Sequence, residues 1–597
     1  MDGGAWRVLG YTLLSRSNYT DAEVALQKAL ELDPQDAAAL EYLGWSHRRA
    51  GDHDAAVKAL RASVAIDKAR ARAWIMLADI YRDQKKRRAA ISHYEYALWW
   101  APDHVHAHTS LGELLGDARR FQDAARHRAR AAELSPTLTN QVHASHAARR
   151  ICDWETAERL EPIIIGKLRD GPQRSDYPQP FPFLAMPNAK PGDVRAAGVQ
   201  VASHHLPQPA QPHRPVADLA TQRKLRIGYL TPDMHTHPMA HLSVALFEFH
   251  DRSRFETVLF DYAPPTKDNI YRKRALDAFD KVVDIRDLSD AEAAKAIADE
   301  GIAIVADISG WTTGNRCQIL ARRPAPVSVQ WMGFPGSMGA PWIDYVVVDS
   351  IIAPPGSEPE FSEKLIRLPF TYQSNDRKRR TGEKVTRADV GLPADAFVFC
   401  NFNQSFKLNR PLFELWMDLL RRRPNAVLWL AQENEWSRAA LQQHARALGV
   451  AEDRVIFGPR LPLDQHMARL SLADLALDCV PYGSHTTASD ALWVGVPQLA
   501  IHGDTFASRV SSSLLTAIGL PELISNSLEE HRDLALRLSE DRALLARYRA
   551  RLAENRFTTP LFDSAGFARY MEAGYEAIWR RRVDGLPPDH INVPAIV

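Results

Sequence analysis

Four short stretches of this 597-residue sequence concentrate side chains that could hold an anion, move a proton or approach a ligand closely. The most informative reads Pro481-Tyr482-Gly483-Ser484-His485-Thr486-Thr487-Ala488-Ser489-Asp490 and follows the apolar run Leu475 to Cys479. Leu492, Trp493 and Val496 beyond it predict an amphipathic helix. His485, Thr486 and Thr487 then fall at a helix start, where unpaired N–H groups and the macrodipole favour an anion. Two hydroxyls add donors, and Asp490, one turn on, could accept hydrogen bonds from a ribose. Ordinary Ser/Thr capping would use the same residue types.

The second stretch, Asn401-Phe402-Asn403-Gln404-Ser405-Phe406-Lys407, also follows an apolar run, and its lysine could meet a diphosphate as a point charge. A plain surface lysine is the alternative. The third, Asp233 to His241, carries His235, His237 and His241 at a spacing that matches no strong metal motif. A histidine there suits proton transfer or a polar sugar contact better. In the fourth, Gly333-Phe334-Pro335-Gly336-Ser337-Met338-Gly339, the glycines would admit a ligand to the backbone or simply make a turn.

Composition narrows the classes. Lys plus Arg number 74 against 73 Asp plus Glu, so no global field favours nucleic acid or an anionic membrane. The basic runs Arg377 to Arg380 and Arg421 to Arg423 read as a solvated loop and a charged helix end. Four scattered cysteines argue against a disulfide framework or zinc site and suit a reducing, cytoplasmic setting. No apolar stretch is long enough to span a membrane, and the N-terminus lacks a signal-peptide pattern. There is no G-x-x-x-x-G-K-[ST] and no G-x-S-x-G, which weakens NTPase and hydrolase readings. The Asp-x-Asp, Asp52-His53-Asp54, sits in a repeat loop, so leaving-group charge would fall to a lysine, hydroxyls and a helix end, without metal.

These motifs need elements to position them. Apolar runs at Leu225 to Leu230, Thr257 to Tyr262, Ile302 to Ile308, Val327 to Trp331 and Tyr345 to Val348 alternate with helical patterns and predict buried parallel strands. The cycle restarts at Phe397 to Asn401, Ala426 to Leu430, Val455 to Phe457, Leu475 to Cys479 and Gln498 to Ile501. Two doubly wound lobes, over residues 223–375 and 386–560, would form a cleft, with the polar stretch Gln373 to Thr386 as linker. A C-terminal helix and tail occupy 561–597.

Ahead of them lies a 34-residue period. Gly10, Gly44, Ala78 and Gly112 share it, as do Ala22, Ala56, Ala90 and Ala124, and Pro34, Pro102 and Pro136 close the units. Such units stack into a helical solenoid over residues 1–136, with small residues where two helices approach. The register begins almost at Met1, so further repeats upstream are compatible with it. Residues 137–222 are expected to hold helices that cap the solenoid, Trp154, Ala157, Leu160 and Ile164 forming one buried face, and then a connector. Ten prolines from Pro172 to Pro215 make that connector irregular, with a short helix at Val194 to His205. Tyr177, Phe181, Phe183 and Leu184 should pack it against a neighbour.

With these stretches in view, the chain resembles glycosyltransferase family 41, the protein O-linked N-acetylglucosamine transferases and their Spindly-type relatives. The likeness rests on Arg226-Ile-Gly-Tyr-Leu with Asp233, His237-Pro238 and His241-Leu242; on Arg323-Pro-Ala-Pro326 with Gly333 to Gly336; on Cys400 to Gln404 with Lys407; on Pro424 to Leu430; on His485-Thr-Thr487 with Asp490; and on Ala507 to Val510. It also takes in the repeats, which resemble tetratricopeptide repeats.

The resemblance implies an α-solenoid followed by an α/β GT-B fold, and inversion at the anomeric carbon. UDP-N-acetylglucosamine would be the donor and Ser/Thr hydroxyls of proteins the acceptors, with the repeat arm as a place to hold them. Gln404, Lys407, Thr486 and Thr487 would hold the diphosphate beside His485. Asp490 would take the ribose, and His466 with the backbone near Leu461 and Leu463 would frame the uracil. His237 would act as base or sugar-positioning residue. Three features depart from those of the animal enzymes. Their inner-face asparagines are replaced by Val8, Tyr42, Met76 and Ser110, a lysine near the nucleotide by Leu463, and a tyrosine by Phe406. Another donor, such as GDP-fucose, and a nucleotide-binding scaffold without useful turnover are the competing readings.

Overall fold

The computed structural model describes residues 2–171, 176–204, 213–265 and 269–595. The chain forms two compact units, Met1–Ala148 and Arg149–Val597. In the first, helices pair as Gly3–Ser15 with Tyr19–Leu32, Ala37–Ala50 with His53–Ile66, Ala71–Asp83 with Arg87–Trp100, and Val105–Asp117 with Phe121–Leu134. The small-residue series has a steric cause. A Cβ on Gly10 would lie 2.6 Å from Leu26 Cγ, and one on Gly44 2.5 Å from Leu60 Cγ. Leu26 and Leu60 are themselves fully buried, so each leucine fills the space its glycine leaves. Asp52 of the Asp-x-Asp caps its helix by accepting from the Ala55 N–H (2.9 Å).

The second unit holds two main parallel sheets. The first contains β1 (Leu225–Thr231), β2 (Phe255–Asp261), β3 (Lys281–Asp284), β4 (Ile304–Asp307), β5 (Val327–Gln330), β6 (Tyr345–Asp349), β7 (Lys364–Leu368) and β14 (Ile591–Asn592). Their order is β14-β7-β6-β5-β4-β1-β2-β3. The second sheet is β10-β9-β8-β11, built from β8 (Phe397–Asn401), β9 (Ala426–Ala431), β10 (Val455–Gly458) and β11 (Leu475–Ala476). β12 (Ala500–Ile501) and β13 (Ile524–Ser525) pair beside it. Both large sheets reverse their winding beside their first strand, between β1 and β4 and between β8 and β11. Ligands of such sheets gather outside the strand ends at that point. The chemistry-bearing stretches at 233–241, 401–407 and 481–490 follow β1, β8 and β11.

Several expectations are corrected. β3 and β7 lack the apolar run that marks a buried strand. β3 is an edge strand, mostly exposed, and Arg367 interrupts β7, where its Nε donates to Ala353 O (2.9 Å). The C-terminal tail is not separate: β14 adds to β7, and the Ser564–Val583 helix packs on the first sheet. Trp154–Arg169 belongs to the second unit, where the Trp154 indole donates to Leu408 O (3.2 Å). The connector helix runs Pro191–His204, and His205 lies outside the described residues.

The stretch Gln373 to Asp376, at the start of the polar linker, is buried, and so is Arg379 in the run expected as a solvated loop. The glycines of 333–339 are required by packing. A Cβ on Gly333 would lie 2.6 Å from Ser309 O. At Gly339, with φ +63°, one would lie 2.4 Å from Val199 N and 2.7 Å from Arg195 O. Backbone cannot yield as a side-chain end does, and the left-handed conformation adds strain. Gly339→Ala is therefore expected to cost about 3 kcal/mol or more. A lowered midpoint in denaturant titration would show it.

Candidate active site

Lys407 stands on a single 3-10 turn, Ser405–Lys407, directly after β8. Glu433 fixes the turn by accepting from the Ser405 N–H (2.8 Å) and Oγ (2.6 Å), and Arg150 pairs with Glu433 (2.6 Å). The lysine points inward. Its Nζ donates to Gly483 O (2.8 Å) and Asn403 Oδ1 (3.3 Å) and lies 3.8 Å from the Tyr482 ring centroid. No carboxylate forms an ion pair with it among the described residues. Burial depresses it to about 8. A buried ammonium whose direct contacts among the described residues are neutral acceptors and a ring face, with Asp478 opposing its burial from farther off, suits an anionic ligand.

The loop after β11 supplies the other half. Asp478, fully buried, accepts from the backbone N–H of Cys479 (2.8 Å), Ser484 (2.7 Å) and Ile501 (3.1 Å), which shapes the turn ahead of the Thr486–Trp493 helix. His485 is that helix's N-cap, but its side chain makes no cap bond. Its Nε2–H donates instead to Ala507 O (2.9 Å), so Nδ1 carries no proton. Burial first, and then the Lys407 charge, hold the ring neutral. Thr487 Oγ1 does not cap either: it donates to Asn403 Oδ1 (2.9 Å). Ser/Thr capping is thus excluded at this start, and the first-turn N–H groups remain available to a ligand. One amide oxygen, on Asn403, joins the lysine of one loop to the threonine of the other, while Asn403 Nδ2 donates to Ser484 Oγ (2.7 Å).

The remaining residues surround this pair. His466 packs edge-on against Phe402 (4.9 Å between centroids) and accepts at Nδ1 from Arg469 Nε (3.1 Å). Burial and then Arg469 lower its titration to about 4, leaving a neutral ring with its proton on Nε2. His466, Phe402, Asn403, Ser484 and Thr487 line one small cavity. Leu463 opens the Leu463–Leu470 helix behind Pro462, and Leu461 and Leu463 are both half-buried. The Gln404 side chain is exposed, while its carbonyl accepts from the Lys407 N–H (3.0 Å). Asp490 is buried and accepts from Arg379 Nη1 at Oδ1 (2.5 Å). Phe406 is buried between Phe181 (5.8 Å) and Tyr482 (6.0 Å).

On the first lobe, His237 caps the Pro238–Phe249 helix, its Nδ1 accepting from the Met239 N–H (3.3 Å). The neutral ring therefore carries its proton on Nε2. Burial, then His235 and Arg460, lower it to about 4. Arg460, whose charge acts on this ring, comes from the second lobe. Asp233 lies 3.6 Å away, its carboxyl raised to about 7 by burial and Asp307. His235 is 5.7 Å from His237 between centroids, but His241 turns away and packs on Tyr271 (4.3 Å).

Sequence reasoning passed over Asn403, Tyr482, Asp478 and Arg379 as individual actors. The first two lie within quoted motifs, but nothing in their type or spacing signals a shared acceptor or a ring beneath an ammonium.

Known proteins resemble the chain over most of its length. The model for glycosyl transferase family 41 matches residues 151–382 and 373–571, and tetratricopeptide-repeat models match 7–71 and 71–104. A probable UDP-N-acetylglucosamine–peptide N-acetylglucosaminyltransferase, SEC of Arabidopsis thaliana, is 33% identical over 75% of this chain and 48% of its own length. The UDP-N-acetylglucosamine–peptide N-acetylglucosaminyltransferase of Caenorhabditis elegans is 26% identical over 74% of this chain and 49% of its own. The chain thus spans about half the length of these curated relatives. A solved structure of an O-GlcNAc transferase variant from Thermobaculum terrenum superposes with a TM-score of 0.61 at 25% identity, covering 98% of both chains.

Proposed function

The chain belongs to glycosyl transferase family 41, and we propose that it moves N-acetylglucosamine from UDP-N-acetylglucosamine to serine or threonine hydroxyls of proteins, with inversion and without a metal. The observation that carries this reading is the shared acceptor: Lys407 and Thr487 meet on Asn403 Oδ1 beside a helix start that no side chain caps. A diphosphate placed there would draw on an ammonium, a hydroxyl and first-turn N–H groups. As the acceptor hydroxyl attacks C1 and the C1–O bond to the diphosphate breaks, negative charge grows on the departing oxygen. Lys407 then gains more from the transition state than from the bound donor, which is the condition for raising turnover. Asp490 takes the ribose, and His466 with the backbone at Leu461 and Leu463 frames the uracil. His237, neutral and with its proton on Nε2, suits a sugar-positioning donor, which favours that role over the base.

A thermal-shift panel of UDP, GDP and their sugars tests the donor. UDP is expected to raise the melting temperature by a few degrees, as binding to the folded state alone requires, and EDTA to leave that rise unchanged. A strict Mg²⁺ requirement sinks the metal-free reading, and a GDP preference replaces the donor. Transfer to a peptide library then separates an enzyme from a nucleotide-binding scaffold.

A further inference from the structure

Between the lobes, the segment from Gln373 to Arg379, buried except at Arg377 and Lys378, bonds to both of them. Toward the first lobe, Ser374 Oγ donates to Leu242 O (2.9 Å) in the helix that His237 caps. Asp376 accepts twice from Arg274 (2.6 and 3.1 Å). Toward the second lobe, Gln373 Nε2 donates to Ser489 Oγ (2.8 Å), and Arg379 Nη1 donates to Asp490 Oδ1 (2.5 Å). These last two bonds land on neighbouring residues of the helix whose start carries His485 to Thr487.

The Arg379 side chain is 0% exposed, although it sits in a run of four basic residues. Its Nη2 donates to Asn375 Oδ1 (3.2 Å), so the segment itself fixes the plane of the guanidinium. Desolvating an arginine is costly, and here the return is the fixed position of one carboxylate. Asp490 Oδ1 is consumed by that bond, while Oδ2 takes no protein hydrogen bond among the described residues.

We infer that Arg379 is a positioning residue that pins Asp490 Oδ1 and reserves Oδ2 as the acceptor for the ribose hydroxyls of the nucleotide. This rests on the nucleotide site proposed above and adds the group that makes its ribose contact directional. Burial pushes the Asp490 carboxyl up to about 6, and Arg379 is the group that opposes it. Without the guanidinium the carboxyl would protonate closer to neutrality and accept more weakly.

The test compares two ligands on one protein preparation by calorimetry: the nucleoside diphosphate that the thermal-shift panel selects, UDP on the reading above, and its 2′,3′-dideoxy analogue. The unaltered chain should prefer the ribose form on the order of 10- to 100-fold, the range for hydrogen bonds to a charged acceptor. In Arg379→Gln that preference should fall to about threefold or less, while affinity for the dideoxy analogue changes little, because only the ribose contact is lost. A merely structural arginine would weaken both ligands together or neither, and either result overturns the inference. Asp490→Ala separates the two claims. If it keeps the full preference, the ribose assignment itself fails. If it loses the preference while Arg379→Gln keeps it, only the role of Arg379 fails. Should Arg379→Gln not fold, Arg379→Lys carries the same comparison. An intermediate preference is expected there, since lysine cannot grip Asp490 and Asn375 in one plane, and a full preference overturns the inference.

Discussion

Lys407→Met is expected to lower kcat by about 1,000-fold or more, on the order of 4 kcal/mol of transition-state stabilisation. The fold should survive. Methionine nearly matches the lysine in length and can lie on the Tyr482 ring, and the variant no longer has to bury an ammonium. Gly483 O loses a donor, a modest cost for a carbonyl in a loop. Donor KM should change less than kcat, because the lysine matters most once the diphosphate begins to leave. Turnover on a peptide acceptor, beside a melting curve, measures both. Activity within tenfold of the unaltered chain would remove Lys407 from the mechanism.

Alkaline pH should show the same group titrating. With no ligand, burial holds Lys407 at about 8, below the 10.5 of a free lysine. kcat/KM, which reports the free enzyme, should therefore fall about tenfold per pH unit above pH 8 as the ammonium is lost. A bound diphosphate adds negative charge beside the lysine and raises it again, so kcat should hold to higher pH. Stability moves the other way. Between pH 8 and 10.5 the unfolded chain keeps the proton that the folded chain has released, so this group makes folding more favourable as pH rises through that window. Below pH 8 both states are protonated and the burial penalty is present in full. Lys407→Met should abolish the alkaline fall in its residual kcat/KM, and a fall that persists in that variant assigns the titration to another group.

The architecture was legible because repetition and alternation are written in residue type. A 34-residue spacing of glycine and alanine is a steric requirement that each repeat meets by itself, as Gly10 against Leu26 and Gly44 against Leu60 make plain. Apolar runs ending in polar loops mark parallel strands, and β1, β8 and β11 each deliver a motif to a point where the winding reverses. Strands that broke the apolar rule stayed hidden: β3 at an exposed edge, β7 around Arg367, and β14 as two residues borrowed from the far end of the chain.

The sequence by itself therefore determined the repeats, the two wound lobes and the stretches that carry polar chemistry, since each depends on the order of neighbours along the chain. Only the tertiary structure decided which polar groups are spent and which are free. Thr487 gives its hydroxyl to Asn403 instead of capping its helix, and Gly339 yields its space to the backbone at Val199. Arg379 leaves a basic run that composition assigns to solvent and is buried against Asp490. Each outcome turns on a partner more than eighty residues away in the chain. Burial makes those partners decisive, because a polar group removed from water must find its hydrogen bonds within the protein.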